Sequence, residues 1–248
     1  MKIALITGAN KGIGFEIARG IGEAGATVLL GARSVDRGTA AAQALSDSGI
    51  RAHAIQLDVT DPRSVAAAAK QIETEHGRLD ILVNNAGIAR ADADEQALDP
   101  AAWAPSGQTL DSIRAVFDVN VFGVIAVTNA LLPLLRRSDA GRIVNVSSEV
   151  GSLALTLDRS SPYWSLISLG YPASKTAVNM VTAQYAKELW DTPITVNAVC
   201  PGYTATDLNG HSGFKTPAEG ARIAVRLATT GEGGPTGGFF NEAGPLPW

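Results

Sequence analysis

The sequence is short of most features that would mark a specialised class. Cys200 is the only cysteine in 248 residues, so no internal disulfide can form, and a reducing compartment is favoured. The three histidines, His53, His76 and His211, show no metal-ligand spacing, and no metal is expected. No Gly-x-Ser-x-Gly string is present, and no histidine is placed to serve a serine nucleophile, which excludes a serine hydrolase. An excess of one charge is also missing. The formal net charge of -4 points to neither a nucleic-acid nor a membrane partner. No apolar stretch is read as approaching the roughly 18–20 residues that span a bilayer. The opening "MKIALITGANKG" lacks a small-residue cleavage site and reads as a strand rather than a signal peptide. A cytoplasmic location is expected. No internal repeat or low-complexity linker divides the chain, so 1–248 is read as one domain with a large core.

What is present is a rhythm. Short β-rich runs recur at Lys2–Thr7, Thr27–Ala32, Arg51–Asp58, Asp80–Ala86, Gly141–Ser148 and Pro193–Cys200, with a weaker seventh at Gly237–Ala243. Several are apolar on both alternations, as strands covered on both faces must be. Helical patterns lie between them at Gly12–Ala24, Val35–Ser48, Pro62–His76, Leu110–Leu135, Pro172–Trp190 and Pro217–Thr229. Pro62, Pro172 and Pro217 sit at segment starts, where a missing N–H costs little. The alternation predicts an α/β, single-domain Rossmann fold: a doubly wound parallel sheet of about seven strands with helices on both faces. Two stretches break it, Arg90–Thr109 and Gly151–Gly170. Both are long for connections in such a domain, and long connections tend to be functional.

The first strand runs into "TGANKGIG", which holds Gly8, Asn10, Lys11, Gly12, Ile13 and Gly14. Glycines here allow a tight turn and close approach to a pyrophosphate, while the helix behind offers free N–H groups. At the second strand's end an NAD site usually places an acid against the ribose 2′-OH. This chain instead has Ala32, then Arg33 and Arg37, with Asp36 nearby. Two guanidiniums plus Lys11 suit a 2′-phosphate, so NADP(H) is favoured over NAD(H).

The ordered set of motifs resembles the short-chain dehydrogenase/reductase family over nearly the whole chain. After the glycine loop come "LDV" with Asp58, "NNAG" at Asn84–Gly87, "VNVFG" with Asn120 and "VSS" ending at Ser148. "YPASK" at Tyr171–Lys175 and "PGYTATD" at Pro201–Asp207 complete it. Within the family the chain is most similar to the carbonyl reductases, through "ANKGIG", "ARSVDRG" and "GPTGGFFNE". The resemblance implies that Asp58 accepts from the adenine amino group with Val59 beside the ring. It implies that Asn84, Ala86 and Gly87 border the adenosine ribose. It also implies that Pro201, Gly202, Thr204 and Thr206 meet the nicotinamide carboxamide.

Reduction of a ketone needs a proton donor, because the carbonyl oxygen becomes an alkoxide as hydride arrives. Tyr171 can serve as acid/base, and Lys175, four residues on along a helix, can lie beside it. A neighbouring cation is expected to lower the phenol pKa from about 10. Lys175 would also hold the nicotinamide ribose. Ser148, at a strand end facing the ligand crevice, can orient the carbonyl. Family alignment favours it over Ser147, which alternation turns to the other side. Asn120 implies, by resemblance, a helix kink and a water linking Lys175 to solvent. His211, in "NGHSGF", is a further candidate for substrate contact.

The 22 residues 149–170 between Ser148 and Tyr171 exceed the family's usual gap. Tyr163 and Trp164 there, with Trp103, would wall the substrate cleft. Because the segment precedes a helix used for association in the family, the chain would be a monomer, or otherwise a homo-oligomer. The short lid at 208–216 suggests a permissive pocket. The expected partner is a small carbonyl or alcohol substrate, and the expected activity is NADPH-dependent carbonyl reduction. An NAD(P)-linked secondary-alcohol dehydrogenase and a non-catalytic NADP(H)-binding regulator fit the same residues.

Overall fold

Apolar residues on both faces of short runs leave those runs only one stable place, inside a sheet covered twice. The computed structural model describes residues 1–91, 103–231 and 233–248, and puts them there. Its strands are β1 (Ile3–Thr7), β2 (Thr27–Ala32), β3 (Ala52–Gln56), β4 (Ile81–Asn84), β5 (Arg142–Val146), β6 (Thr195–Val199), β7 (Phe239–Asn241) and β8 (Gly244–Pro245). They form one sheet in the order β3-β2-β1-β4-β5-β6-β7-β8. Every neighbouring pair is parallel except β7 with β8. The sequence reading expected about seven strands. The eighth is two residues long and closes a tight turn back onto β7, too short to leave a periodic pattern.

Alternation along β1 shows how the two cores divide. Ala4 and Ile6 face a layer built from α1 (Gly12–Glu23), α2 (Val35–Asp47) and α8 (Pro217–Thr229). Ile3 and Leu5 face the opposite layer, with α3 (Pro62–His76), α5 (Gly123–Leu135) and α7 (Gly170–Glu188). Local signals set the helix starts. Asp61 caps α3 by accepting from Arg63 N, and Pro62 stands at its first position. Thr216 and Glu219 form a capping box on α8.

The stretch Leu110–Leu135 corrects one expectation. It is continuously helical over 26 residues, and its most apolar window has mean hydropathy 1.8, long and apolar enough by composition to cross a bilayer. Much of that apolarity goes into the core, where Val116, Val121, Val124, Val127, Leu131, Leu134 and Leu135 are buried. The helix is not uniform: α4 (Leu110–Phe117) passes through one π-type stretch, Asp118–Phe122, into α5.

Strand order reverses between β1 and β4, so a crevice opens beyond their C-terminal ends. Of Arg90–Thr109, positions 92–102 lie outside the described residues. The 151–170 segment carries one short helix, α6 (Leu153–Thr156), and several exposed apolar side chains, among them Leu157, Trp164, Leu166 and Ile167.

Candidate active site

The glycine loop is locked to the strand beside it. The Thr7 hydroxyl accepts from the N–H groups of Asn85 and Ala86, each at 2.9 Å. Asn85 Nδ2 donates to the carbonyls of Thr7 at 2.9 Å and Gly8 at 3.2 Å. Gly8 holds φ 64°, and a Cβ on it would meet Ala86 Cα at 3.0 Å. A Cβ on Gly14 would collide with the Gly8 carbonyl and the Asn85 amide. Gly12 faces Thr206, with 3.6 Å from its Cβ position to the threonine methyl. Ile13 packs onto the core layer of α1, α2 and α8, and Asn10 is half-buried in the turn. The Lys11 amine is paired with the Asp207 carboxylate, across the mouth of the loop. His211 joins the same carboxylate, Nε2 to Oδ1 at 2.7 Å, from a backbone at φ 61°. The Lys11 hydrogen bond and charge, with the His211 hydrogen bond, hold Asp207 below the ordinary carboxylate range.

At the adenosine end, Arg33 and Arg37 are exposed at the start of α2, and neither side chain forms an ion pair among the described residues. Asp58 is half engaged. Its Oδ1 accepts from Thr60 N at 2.9 Å and Thr60 Oγ1 at 2.7 Å, while Oδ2 has no partner among the described residues. Val59 is buried beside Gly123. Asn84 does not join this group. Its side chain is 3% exposed and donates inward to Thr128 Oγ1 at 3.1 Å and Asn145 Oδ1 at 2.8 Å. The reason is strand parity: Asn84 pairs with Asn145 of β5 and shares its inward face. Gly87 lies further in, where a Cβ would stand 3.3 Å from Asn120 Oδ1 and 3.7 Å from Lys175 Nζ.

Tyr171 and Lys175 both lie in the first turns of α7, one above the other. The Lys175 Nζ is 5.5 Å from the Tyr171 ring centroid and donates to the Val146 carbonyl at 2.8 Å. The Ser148 hydroxyl lies close enough to the phenol to lower its pKa. Ser147 faces away, donating to Asn179 Oδ1 at 2.6 Å and docking α7 on β5. Asn120 sits in the π-type stretch and is almost fully spent. It accepts from Ile88 N at 2.9 Å and donates to Ile88 O at 2.9 Å and Ser174 Oγ at 3.0 Å.

Burial dominates the charge balance of this group. Burial pushes the Tyr171 phenol well above its ordinary value, the Cys200 sulfur adds to the rise, and the Ser148 hydroxyl opposes it. Burial also brings the Lys175 ammonium down to about 8. Desolvation is the largest cause of both shifts.

Beyond β6, Gly202 adopts φ 79° beside the Lys215 side chain. Pro201 leads into it, and the Thr204 hydroxyl reaches back to the carbonyls of Pro201 at 3.5 Å and Gly202 at 3.2 Å. Thr206 N donates to Asn209 Oδ1 at 3.1 Å, which shapes the turn that carries Asp207. The aromatic residues of the long connections differ in placement. Tyr163 turns inward to Glu149, whereas the Trp164 and Trp103 rings carry Arg159 at 5.2 Å and Arg90 at 5.8 Å.

Sequence reasoning missed Thr7, Asn85, Ser174 and Glu149. The first two were hidden inside motifs whose glycines drew attention. The others act through contacts over 54 and 92 positions, which leave no local spacing signal.

The family described as short chain dehydrogenase matches residues 2–215. Short-chain dehydrogenase/reductase 1 of Saponaria officinalis is 38% identical over 99% of this chain and 96% of its own. Carbonyl reductase [NADPH] 1 of Mus musculus is 34% identical over 99% and 98%. The structure of NADPH-bound carbonyl reductase from chicken fatty liver superposes with a TM-score of 0.81 at 26% identity, covering 100% of this chain and 98% of that one.

Proposed function

The chain belongs to the short-chain dehydrogenase family, and from that premise we propose that it reduces ketones or aldehydes to alcohols with NADPH. One observation carries the reading: Lys175 Nζ stands 5.5 Å from the Tyr171 ring, with the Ser148 hydroxyl close to that phenol.

The residues present fit a dinucleotide. The Gly8–Ala86 approach and the space at Gly87 form a cradle that any Cβ would fill, and one Asp58 oxygen stands ready for an amino donor. Arg33 and Arg37, with no carboxylate at the β2 tip, would grip a 2′-phosphate. When bound, the cofactor supplies the hydride for the carbonyl carbon. Ser148 holds the carbonyl oxygen towards the phenol. Tyr171 gives its proton to that oxygen as negative charge develops. The raised phenol pKa suits this direction, since the acid stays loaded at neutral pH and an alkoxide is a far stronger base than a phenolate. Lys175 stabilises the phenolate left behind, and a proton from the solvent side reloads Tyr171. Asn120 fixes the floor by tying Ile88 to Ser174, one residue before Lys175.

The test is NADPH oxidation over a panel of ketones and aldehydes, repeated with Tyr171→Phe. Turnover should disappear while NADPH affinity stays near normal. A variant that keeps most of its rate overturns the assignment of the acid.

A further inference from the structure

Glu149 follows Ser148 directly, and no part of the mechanism above uses it. Its Oε2 accepts from the Tyr163 hydroxyl at 2.6 Å, and its Oε1 accepts from Asn241 Nδ2 at 2.8 Å. Its backbone N–H donates to Cys200 Sγ at 3.3 Å. Both side-chain donors are neutral. Every other carboxylate on this rim has a cation: Glu242 meets Lys215 and Arg222 at 3.3 Å each, and Asp207 meets Lys11 and His211. Glu149 alone among these three carries an uncompensated charge.

That charge faces space. A cavity of about 320 Å³ lies beyond the ends of β5, β6 and β7, lined by Glu149, Gly202, Lys215, Asn241, Glu242 and Ala243. It reaches the catalytic group through the chain itself, because Glu149 follows Ser148 directly and its N–H donates to Cys200 Sγ at 3.3 Å, at the end of β6. Two donors from distant segments, Tyr163 in the insertion and Asn241 in β7, fix the carboxylate's direction. Each of its oxygens keeps a lone pair, since a carboxylate offers about four acceptor sites.

We propose that Glu149 is a specificity-determining residue that selects carbonyl substrates bearing a cationic group, such as an ammonium, a few ångströms from the carbonyl. Lys215, on the same cavity, is tied to Glu242 at 3.3 Å, a carboxylate it shares with Arg222, so its charge is partly offset, whereas Glu149 has no ion pair among the described residues. The inference rests on the reductase reading above, and the experiment separates the two.

The probes are N,N-dimethyl-4-oxopiperidinium and its neutral isostere 4,4-dimethylcyclohexanone. They share shape and differ by one permanent charge. Binding is measured by calorimetry on the protein with NADP⁺, which needs no turnover, and kcat/KM is measured alongside. Glu149→Gln should cost the cationic probe about tenfold more affinity than the neutral one, a partly desolvated charge contact being worth that much. This double ratio removes any intrinsic difference between the probes. In the unaltered protein, raising the salt concentration should weaken the cationic probe and leave the neutral one unmoved. Tyr163→Phe, which frees one carboxylate oxygen to swing, should move the same ratio by less. A double ratio near one, an affinity independent of salt, or tighter binding of the anionic 4-oxocyclohexanecarboxylate overturns the inference. Charge-selective binding without turnover would sink the reductase reading and leave the cation site standing.

Discussion

The two halves of the crevice are built by different means. On the β1–β4 side, backbone meets backbone: Gly8, Gly14 and Asn85 are held by packing and carbonyl bonds, with little side chain exposed. On the β5–β7 side, side chains from far-apart segments meet over open space, as with Tyr163, Glu149 and Asn241. Exposed apolar groups such as Phe214, at 80% exposure, and Leu157, at 75%, rim that side. A surface of fixed backbone suits a ligand that never changes. A surface of loops suits one that varies, and loops tolerate substitution better than a locked turn does.

The contrast can be broken most severely at the junction of the halves. Tyr171→Phe should lower turnover by on the order of 10³-fold with NADPH binding retained, read by steady-state rates and calorimetry. The next effect is electrostatic. Lys175 titrates near 8 in the folded protein against an ordinary value of 10.5, so the unfolded chain binds more protons between those limits and stability rises with pH there. Below pH 8 the buried ammonium costs the fold on the order of 3 kcal/mol, and Lys175→Met should remove that cost. Urea midpoints at pH 7 and 9.5 test this, with the variant's advantage shrinking as pH rises. Tyr171 works in the opposite sense only above its ordinary value of 10, outside the window.

On the backbone-built side, Gly14→Ala should cost about 1–3 kcal/mol in thermal unfolding, because its methyl has nowhere to go between Gly8 and Asn85. Arg33→Asp should leave the fold intact and reduce NADPH affinity by about tenfold relative to NADH. The smallest effect is expected across the crevice. Trp164→Ala, on a ring already 46% exposed, should change stability by no more than about 0.5 kcal/mol. A larger loss there would mean that the insertion is as locked as the glycine loop.

The same division governs what the sequence disclosed. Helices α3 and α8 begin and end where their proline, cap and periodicity predict, and β2 runs over the predicted Thr27–Ala32. Ser148, Tyr171 and Lys175 converge, because a strand end and one helix face suffice to place them. Long-range pairing did not show. Lys11 looked like a free cation until Asp207, 196 residues away, took it. Asn84 looked like a crevice residue, and parity with Asn145 turned it inward. The depth of burial around the Tyr171 ring was not legible either, because it depends on everything packed there and no spacing encodes that.

The π-type stretch at Asp118–Phe122 carries a consequence for how this chain tolerates change. Such a stretch is an α-helix holding one surplus residue. Remove any single residue from it and the helix heals to ordinary geometry, but all that precedes it swings by about 100° around the axis. Asn120 would then lose Ile88, and the seam between α4 and α7 would present the wrong face. Point substitutions along α4 are ordinary packing problems, whereas a one-codon deletion there is a change of phase.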